Sequence, residues 1–242
     1  MTDPPPFALF GSAHLMALGA VSAASFGLPW AVRRFATPPM QRRGGMAIAA
    51  ILVVHEVAKI CVRVGVYDHR LAAQLPLHLC GAALVLNAVM LWRQSYGLYE
   101  ITYFWATTGT IAALLTPDLP YGFPHPFFFV FFFGHGVIVV GVLYATFVYG
   151  FRPRPRSIVK AVGVTLAYMA AIAPVNVLLD ANYLYLRHKP AQASPMDAMG
   201  PWPWYIGWLI ALGIAAFALV YAPFALSDAI RGQRRIQAAS EG

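Results

Sequence analysis

The stretch Leu75-Pro76-Leu77-His78-Leu79-Cys80 opens the apolar run 81–92, and its reading decides the fold. It places an imidazole and a thiol at the mouth of a segment otherwise composed like a membrane span. A transmembrane helix needs roughly 20 mostly apolar residues to cross the hydrocarbon. Working outward from this stretch, such segments are expected at about 9–30, 45–64, 75–92, 99–116, 126–149, 158–179 and 204–226. The chain is 60% hydrophobic and 11% charged, where a soluble domain carries about 25% charged residues. Its 242 residues leave no room for a separate soluble domain. The expected fold is all-α: a polytopic membrane protein, one domain over 1–242, built as a bundle of seven transmembrane helices.

The net charge of +8 follows membrane topology and is no sign of nucleic-acid binding. Numbering the loops alternately, one side holds Arg33, Arg34, Arg42, Arg43, Arg93, Arg152, Arg154, Arg156, Lys160, Arg231, Arg234 and Arg235. The other holds only Arg70, Arg187 and Lys189. Basic loops stay cytoplasmic, so the N-terminus is expected outside and the C-terminus inside. The cytoplasmic loop from Arg33 to Arg43, with Pro38-Pro39, reads as a turn with a basic rim facing the lipid headgroups. The start, Met1 to Pro6, lacks a basic n-region, and no cleaved signal peptide is expected.

The ionisable residues inside the spans are the candidate site. The second span carries His55, Glu56, Lys59 and Arg63, and spacings of three and four put Glu56, Lys59 and Arg63 on one face. One charge at the bilayer centre costs at least ~2.5–3.5 kcal/mol, so this stripe should face the bundle interior or a water-filled cavity. The plain alternative is a Glu56–Lys59 pair that only fixes packing. Pro76 suits the first turn of the third helix. On a regular helix His78 and Cys80 point about 200° apart, so a base for Cys80 must come from another helix.

The first span carries His14. Asp118 ends the fourth, before the Pro-rich connection 119–126, which reads as a tight link or a fixed lid. In the fifth, a phenylalanine run over 127–133, broken only by Val130, leads to His135 between Gly134 and Gly136, small residues that permit close helix approach. The sixth carries Asn176 and ends at Asp180. The seventh opens with the interfacial aromatics Trp202, Trp204 and Tyr205 and has no lysine, so a retinal Schiff base of the rhodopsin kind lacks its residue. Cys61 and Cys80 each read by default as small core hydrophobes, and sequence does not test a disulfide between them.

Alternating topology makes a depth test. His14 and Cys80 fall early in spans running inward. Lys59, Arg63, Asn176 and Asp180 fall late in spans running outward, and His55 and Glu56 lie near mid-span. His135 is deeper, ~14 Å from its span's start against ~7 Å for Cys80. Glu100 breaks the pattern and is expected to reach the inner interface. The convergence points to a cavity toward the outer leaflet holding a thiol, imidazoles, a carboxylate and cations.

That inventory suits acyl transfer: a thiolate attacks an ester carbonyl, an imidazole moves the proton, and a cation or amide stabilises the oxyanion or holds a phosphate. Metal binding by His14, His55, His78 and His135 competes, but no H-x-x-x-H spacing is present, and neither metal nor cofactor is expected. The expected partners are membrane lipids, such as a phospholipid or fatty-acyl ester. A transporter or receptor-like binding protein would use the same groups without covalent chemistry, although no inverted repeat is evident. In a third reading the cluster only sets helix packing.

A set of motifs carries a family resemblance: 75–80, Tyr103-Phe104-Trp105, 113–118, 121–124, His135-Gly136, Asn182-Tyr183-Leu184-Tyr185-Leu186 and 200–205, in order, with Phe10-Gly11, His14-Leu15, Glu56 and Lys59. With these the chain resembles the YwaF-type integral membrane proteins of bacteria. That family is similar to a eukaryotic transmembrane protein implicated in making polyunsaturated ether phospholipids by cysteine-dependent acyl transfer. More distantly it is similar to the androgen-induced membrane hydrolases of fatty-acid esters, which use a Thr and a His on separate helices. The resemblance, with the use of arginine over lysine, implies a bacterial cytoplasmic (inner) membrane. It implies that Cys80 is the nucleophile and His135 the base. It implies a substrate-binding set drawn from His14, His55, Glu56, Lys59, Arg63, His78, Asp118, Asn176 and Asp180.

Overall fold

A computed structural model describes residues 5–190 and 194–240, with the side chains of Pro195 and 232–240 outside the description. Among the described residues the chain is all-helical. In order come α1 (Ser12–Phe35), α2 (Pro38–Gly65), α3 (Leu79–Arg93), α4 (96–115), α5 (Pro126–Phe147), α6 (Pro155–Leu178) and α7 (Trp204–Ser240). Helix α4 is composite: Tyr96–Trp105, a π turn Ala106–Thr110, then Ile111–Leu115. Helices α1, α2, α5, α6 and α7 are long and apolar enough to cross a membrane, and α3 is a shorter apolar helix. The bundle's outside is oily: Leu178 is 82% exposed and Leu219 73%, as lipid-facing side chains would be. The readings made from residues 1–4, and from the side chains of Arg234 and Arg235, lie outside the described residues.

Three helix starts differ from the sequence reading, each for a local reason. Pro38 and Pro39, expected in a cytoplasmic turn, are instead the first turn of α2, so Arg42 and Arg43 are helical. Proline's fixed φ suits a helix start, where its missing N–H was unpaired anyway. Likewise Pro155 starts α6. Pro76, in contrast, lies outside α3, whose N-cap is His78. A Cβ at Gly81 would sit 2.7 Å from Pro76 Cα, so only glycine lets the Pro76 backbone fold this closely against the helix.

Helix α5 is the hub and packs on α1, α2, α3 and α4. Its glycines receive side chains from three neighbours: the His55 ring of α2 at Gly134, Val21 of α1 at Gly136 and the Asn87 amide of α3 at Gly141. Asn87 Nδ2 also donates to Ile138 O at 2.7 Å. Small residues allow such close approach, which is how helices gain contact without a hydrophobic drive between them.

Helix α6 is tied to α4 through Trp105 Nε1, which donates to Thr165 Oγ1 at 2.7 Å, and through Glu100. Glu100 is buried against α6. It accepts from Ser157 Oγ at 2.6 Å and Lys160 Nζ at 2.9 Å, which offsets the cost of burying a carboxylate. Tyr103 OH donates to Val220 O and holds α7. The Pro-rich connection 119–126 pairs with the N-terminal segment: Gly122 N–H donates to Pro5 O at 2.7 Å, and Pro6 bridges Tyr121.

Candidate functional site

The ion pair of α2 is the centre of the site. Lys59 Nζ lies 2.7 Å from Glu56 Oε1, with Glu56 buried and Lys59 partly open. The Lys59 ammonium is close enough to His55, His78, Cys80 and His135 for its charge to act on all four. Four predicted site residues, His55 of α2 itself, His78 and Cys80 at the start of α3 and His135 of α5, thus lie within reach of one charge. His55, Lys59 and Arg63 also line a groove between α2 and α5, walled by Ala58, Val62, Phe127 and Val130.

Cys80 is the second residue of α3. Its backbone N–H is therefore one of those a helix leaves without an internal partner. The thiol faces the Thr110 hydroxyl of the π turn. Both cysteines are free, and Cys61 is exposed on the outside of α2. No group of His, Cys, Asp and Glu able to hold a metal occurs among the described residues.

Hydrogen bonding assigns the histidine tautomers. His135 Nδ1 bonds the Phe131 carbonyl at 2.8 Å. A carbonyl only accepts, so Nδ1 carries the proton and Nε2 keeps its lone pair. The ring stacks on Phe131 at 4.0 Å between centroids, which fixes its plane. By the same argument His55 donates Nε2–H to Val130 O at 3.0 Å, and its Nδ1 is buried without a partner. Each imidazole therefore presents one unprotonated nitrogen.

Arg63 completes the polar stripe. It donates to Gln74 Oε1 at 3.1 Å and lies 5.0 Å over the Phe127 ring, while its Nε is buried without a partner. Gln74, buried in the loop after α2, is a contributor that periodicity did not single out.

A second, polar pocket sits at the loop end, lined by His78, Asp118, Asn182, Tyr183, Tyr185 and His188 among others. His78 is non-helical at the N-cap, so the 200° argument does not apply to it. It turns into this pocket and packs edge-on to Tyr183 at 5.0 Å. Tyr185 OH donates to Asp118 Oδ2 at 3.4 Å. Burial, then the Asp118 charge, push the Tyr185 phenol up to about 12, so it stays a donor at neutral pH. Leu184 and Tyr185 both have positive φ, a costly conformation for non-glycine residues. Tyr205 OH, donating to Tyr185 O, helps hold it.

Three predicted site residues are placed elsewhere. His14 is buried, with Nδ1 accepting from Phe10 N–H and Nε2 bonding Leu114 O, both at 2.9 Å. It fastens α1 to the end of α4 and has no free nitrogen. Asn176 is spent on the Tyr183 backbone, donating to its carbonyl at 2.9 Å and accepting its N–H at 2.7 Å. Asp180 is exposed and clamps the loop through Arg187 at 2.9 Å and Arg70 at 3.6 Å. The Arg187 guanidinium, then Arg70, hold its carboxyl below the usual carboxylate range.

Thr110 and Tyr185, with Gln74, are the site residues that sequence reasoning passed over. Tyr185 had a signal in the 182–186 motif, whereas Thr110 lay among several threonines with nothing to mark it.

Nothing among curated proteins and nothing among solved structures matches the chain. A family model, that of the TMEM164 family, matches residues 9–221. The match runs from just before α1 into α7 and takes in every residue of the cluster around Lys59. With that match and five membrane-length apolar helices, the protein is multi-pass and integral to the membrane, and it belongs to the TMEM164 family.

Proposed function

We propose that the protein is an intramembrane lipid acyltransferase or acyl-ester hydrolase, with Cys80 as nucleophile and His135 as base. The observation that carries this reading is that the Lys59 charge reaches both Cys80 and His135, on two other helices, while Phe131 holds His135 Nδ1–H and leaves Nε2 unprotonated. His135 Nε2 takes the Cys80 proton as the sulfur attacks the ester carbonyl. The resulting oxyanion forms beside the Lys59 ammonium. Collapse breaks the ester C–O bond, and the departing alcohol takes the proton from the imidazolium. An acceptor hydroxyl, or water, then attacks the thioester and restores the thiol.

The lipid would enter along the α2–α5 groove, with Arg63 and Lys59 near its phosphate and the acyl chain against Val62, Phe127 and Val130. In this reading all seven helices cross the bilayer, with the N-terminus outside, the C-terminus cytoplasmic and the site toward the outer leaflet. The membrane is a bacterial cytoplasmic membrane, and the chain is of the YwaF type.

The test is acyl-enzyme trapping. Purified protein is incubated with a p-nitrophenyl acyl ester or a diacyl phospholipid, then digested for peptide mass analysis. The expected result is acyl mass on the Cys80 peptide, absent in Cys80→Ala and kept in Cys61→Ala. No acyl mass under conditions that leave the protein folded would sink the proposal.

A second reading, ligand binding or transport without covalent chemistry, is favoured by one observation. The hydrogen bond of His135 goes to Phe131, and none joins it to Cys80 among the described residues. Under that reading Cys80→Ala would retain function.

A further inference from the structure

The threonines inside the helices follow one rule with one exception. A helical Thr hydroxyl normally bonds back to the carbonyl four residues earlier. Thr102, Thr107, Thr108, Thr146 and Thr165 all do so, at 2.5–2.9 Å. Thr110 does not. It is completely buried, and its Oγ1 has no well-formed hydrogen bond.

The cause is local. Thr110 closes the π turn Ala106–Thr110, where the helix is wound one residue wider. Thr107 and Thr108 still reach the Tyr103 and Phe104 carbonyls of the regular helix before the turn, whereas the carbonyl four residues before Thr110 is that of Ala106, inside it. A buried hydroxyl without a partner costs on the order of an unmade hydrogen bond, so it is a donor available to a polar group that comes against it. The α3 start packs directly against this turn: a Cβ at Gly109 would stand 3.2 Å from Leu79 Cδ2. The polar group that Thr110 faces is the Cys80 thiol. The other charged or titratable groups acting at Cys80 are Lys59 from α2 and the Tyr185 phenol from the loop.

We propose that Thr110 is a positioning residue for Cys80, its hydroxyl freed by the π turn to donate a hydrogen bond to the sulfur when the thiol loses its proton. This rests on Cys80 being the nucleophile. The hydroxyl proton is shared and not transferred: the thiol proton goes to His135, and Thr110 holds the thiolate in line with the carbonyl and weakens its hold as attack proceeds.

The test separates the hydroxyl from the methyl. Thr110→Val keeps the shape and loses the donor, while Thr110→Ser keeps the donor and loses the methyl. The readout is the rate of Cys80 alkylation by iodoacetamide against pH, in purified protein with Cys61→Ala, which requires no ester turnover. A hydrogen bond to a charged group predicts a ten- to hundredfold loss at fixed pH for Thr110→Val. It also predicts a half-maximal pH higher by about one to two units. Thr110→Ser should follow wild type. If Thr110→Val does not fold, Thr110→Ala removes the same donor with Thr110→Ser as its control.

Thr110→Val matching wild type overturns the proposal, as does Thr110→Ser falling as far as Thr110→Val, since either outcome makes Thr110 a packing residue. A wild-type pH profile that depends on Thr110, together with no acyl adduct from any ester, would overturn the acyl-transfer reading and leave the Thr110–Cys80 coupling standing.

Discussion

Lys59 Nζ stands 2.7 Å from Glu56 Oε1, three residues away on one face of α2, and the same ammonium acts on Cys80 and His135 from two other helices. The pair is held where water is scarce, so its members are worth more together than apart. Lys59→Met should therefore lower stability by about 3 kcal/mol, the low end for breaking a buried pair because Lys59 is partly open. Glu56→Gln combined with Lys59→Met should recover most of that loss. Thermal unfolding in detergent measures both. Equal losses in the single and double variants would mean that the pair does not couple.

The residues first grouped as one site divide into two classes with different readouts. His14→Ala and Asn176→Ala remove structural ties and should each cost about 1–3 kcal/mol by leaving buried backbone groups unpaired. Neither should change the rate at which Cys80 is alkylated in the folded fraction. A selective loss of Cys80 reactivity in His14→Ala, with stability unchanged, would return His14 to the site.

The close contacts of α5 are equally specific. Gly141→Ala would press on the Asn87 amide, whose atoms lie 2.8 Å from the new carbon, and overpacking of this kind costs about 1–3 kcal/mol. Gly27→Ala meets nothing within 4 Å and should be neutral, or stabilising by up to about 1 kcal/mol. The unfolding midpoints of the two variants should move in clearly different degree.

The loop clamp carries an acid dependence whose sign follows from Asp180. Its folded-state pKa lies below the ordinary aspartate value, because the Arg187 and Arg70 guanidiniums favour the carboxylate. It therefore stabilises the folded loop at pH above that value and stops doing so as pH falls through the lower folded one. Hydrogen exchange of residues 182–188 should be flat from pH 7 to the region of 4, after correction for intrinsic rates, and should rise below it. Asp180→Asn should show raised exchange already at pH 7 and lack the acid step. The same acid step in Asp180→Asn would assign it to another group.

The helical architecture was legible because apolar runs of membrane length have few alternative readings. Helix starts were less so: Pro38 and Pro39 read as a turn, since a proline pair serves equally in a turn and in a first helical turn. The face of α2 carrying Glu56, Lys59 and Arg63 was legible from spacing alone. His14 and Asn176 were drawn into the site because a polar residue inside a span looks the same whether it binds a ligand or a backbone carbonyl. The burial of Glu100 was not legible because its partners, Ser157 and Lys160, lie far off in sequence. Thr110 was invisible because a π turn leaves no mark in hydrophobic periodicity, and without the turn its hydroxyl would be one more back-bonded threonine.

Alkylation by a lipid-tailed thiol reagent, compared across wild type, Cys80→Ala, Cys61→Ala and His135→Ala, tests most directly whether Cys80 is an activated nucleophile with His135 as its base. Labelling should vanish in Cys80→Ala, slow at least tenfold in His135→Ala and be unchanged in Cys61→Ala, although Cys61 is the more exposed thiol. Equal labelling of the two cysteines, or labelling of neither, would contradict this and leave Cys80 an inert residue of the bundle.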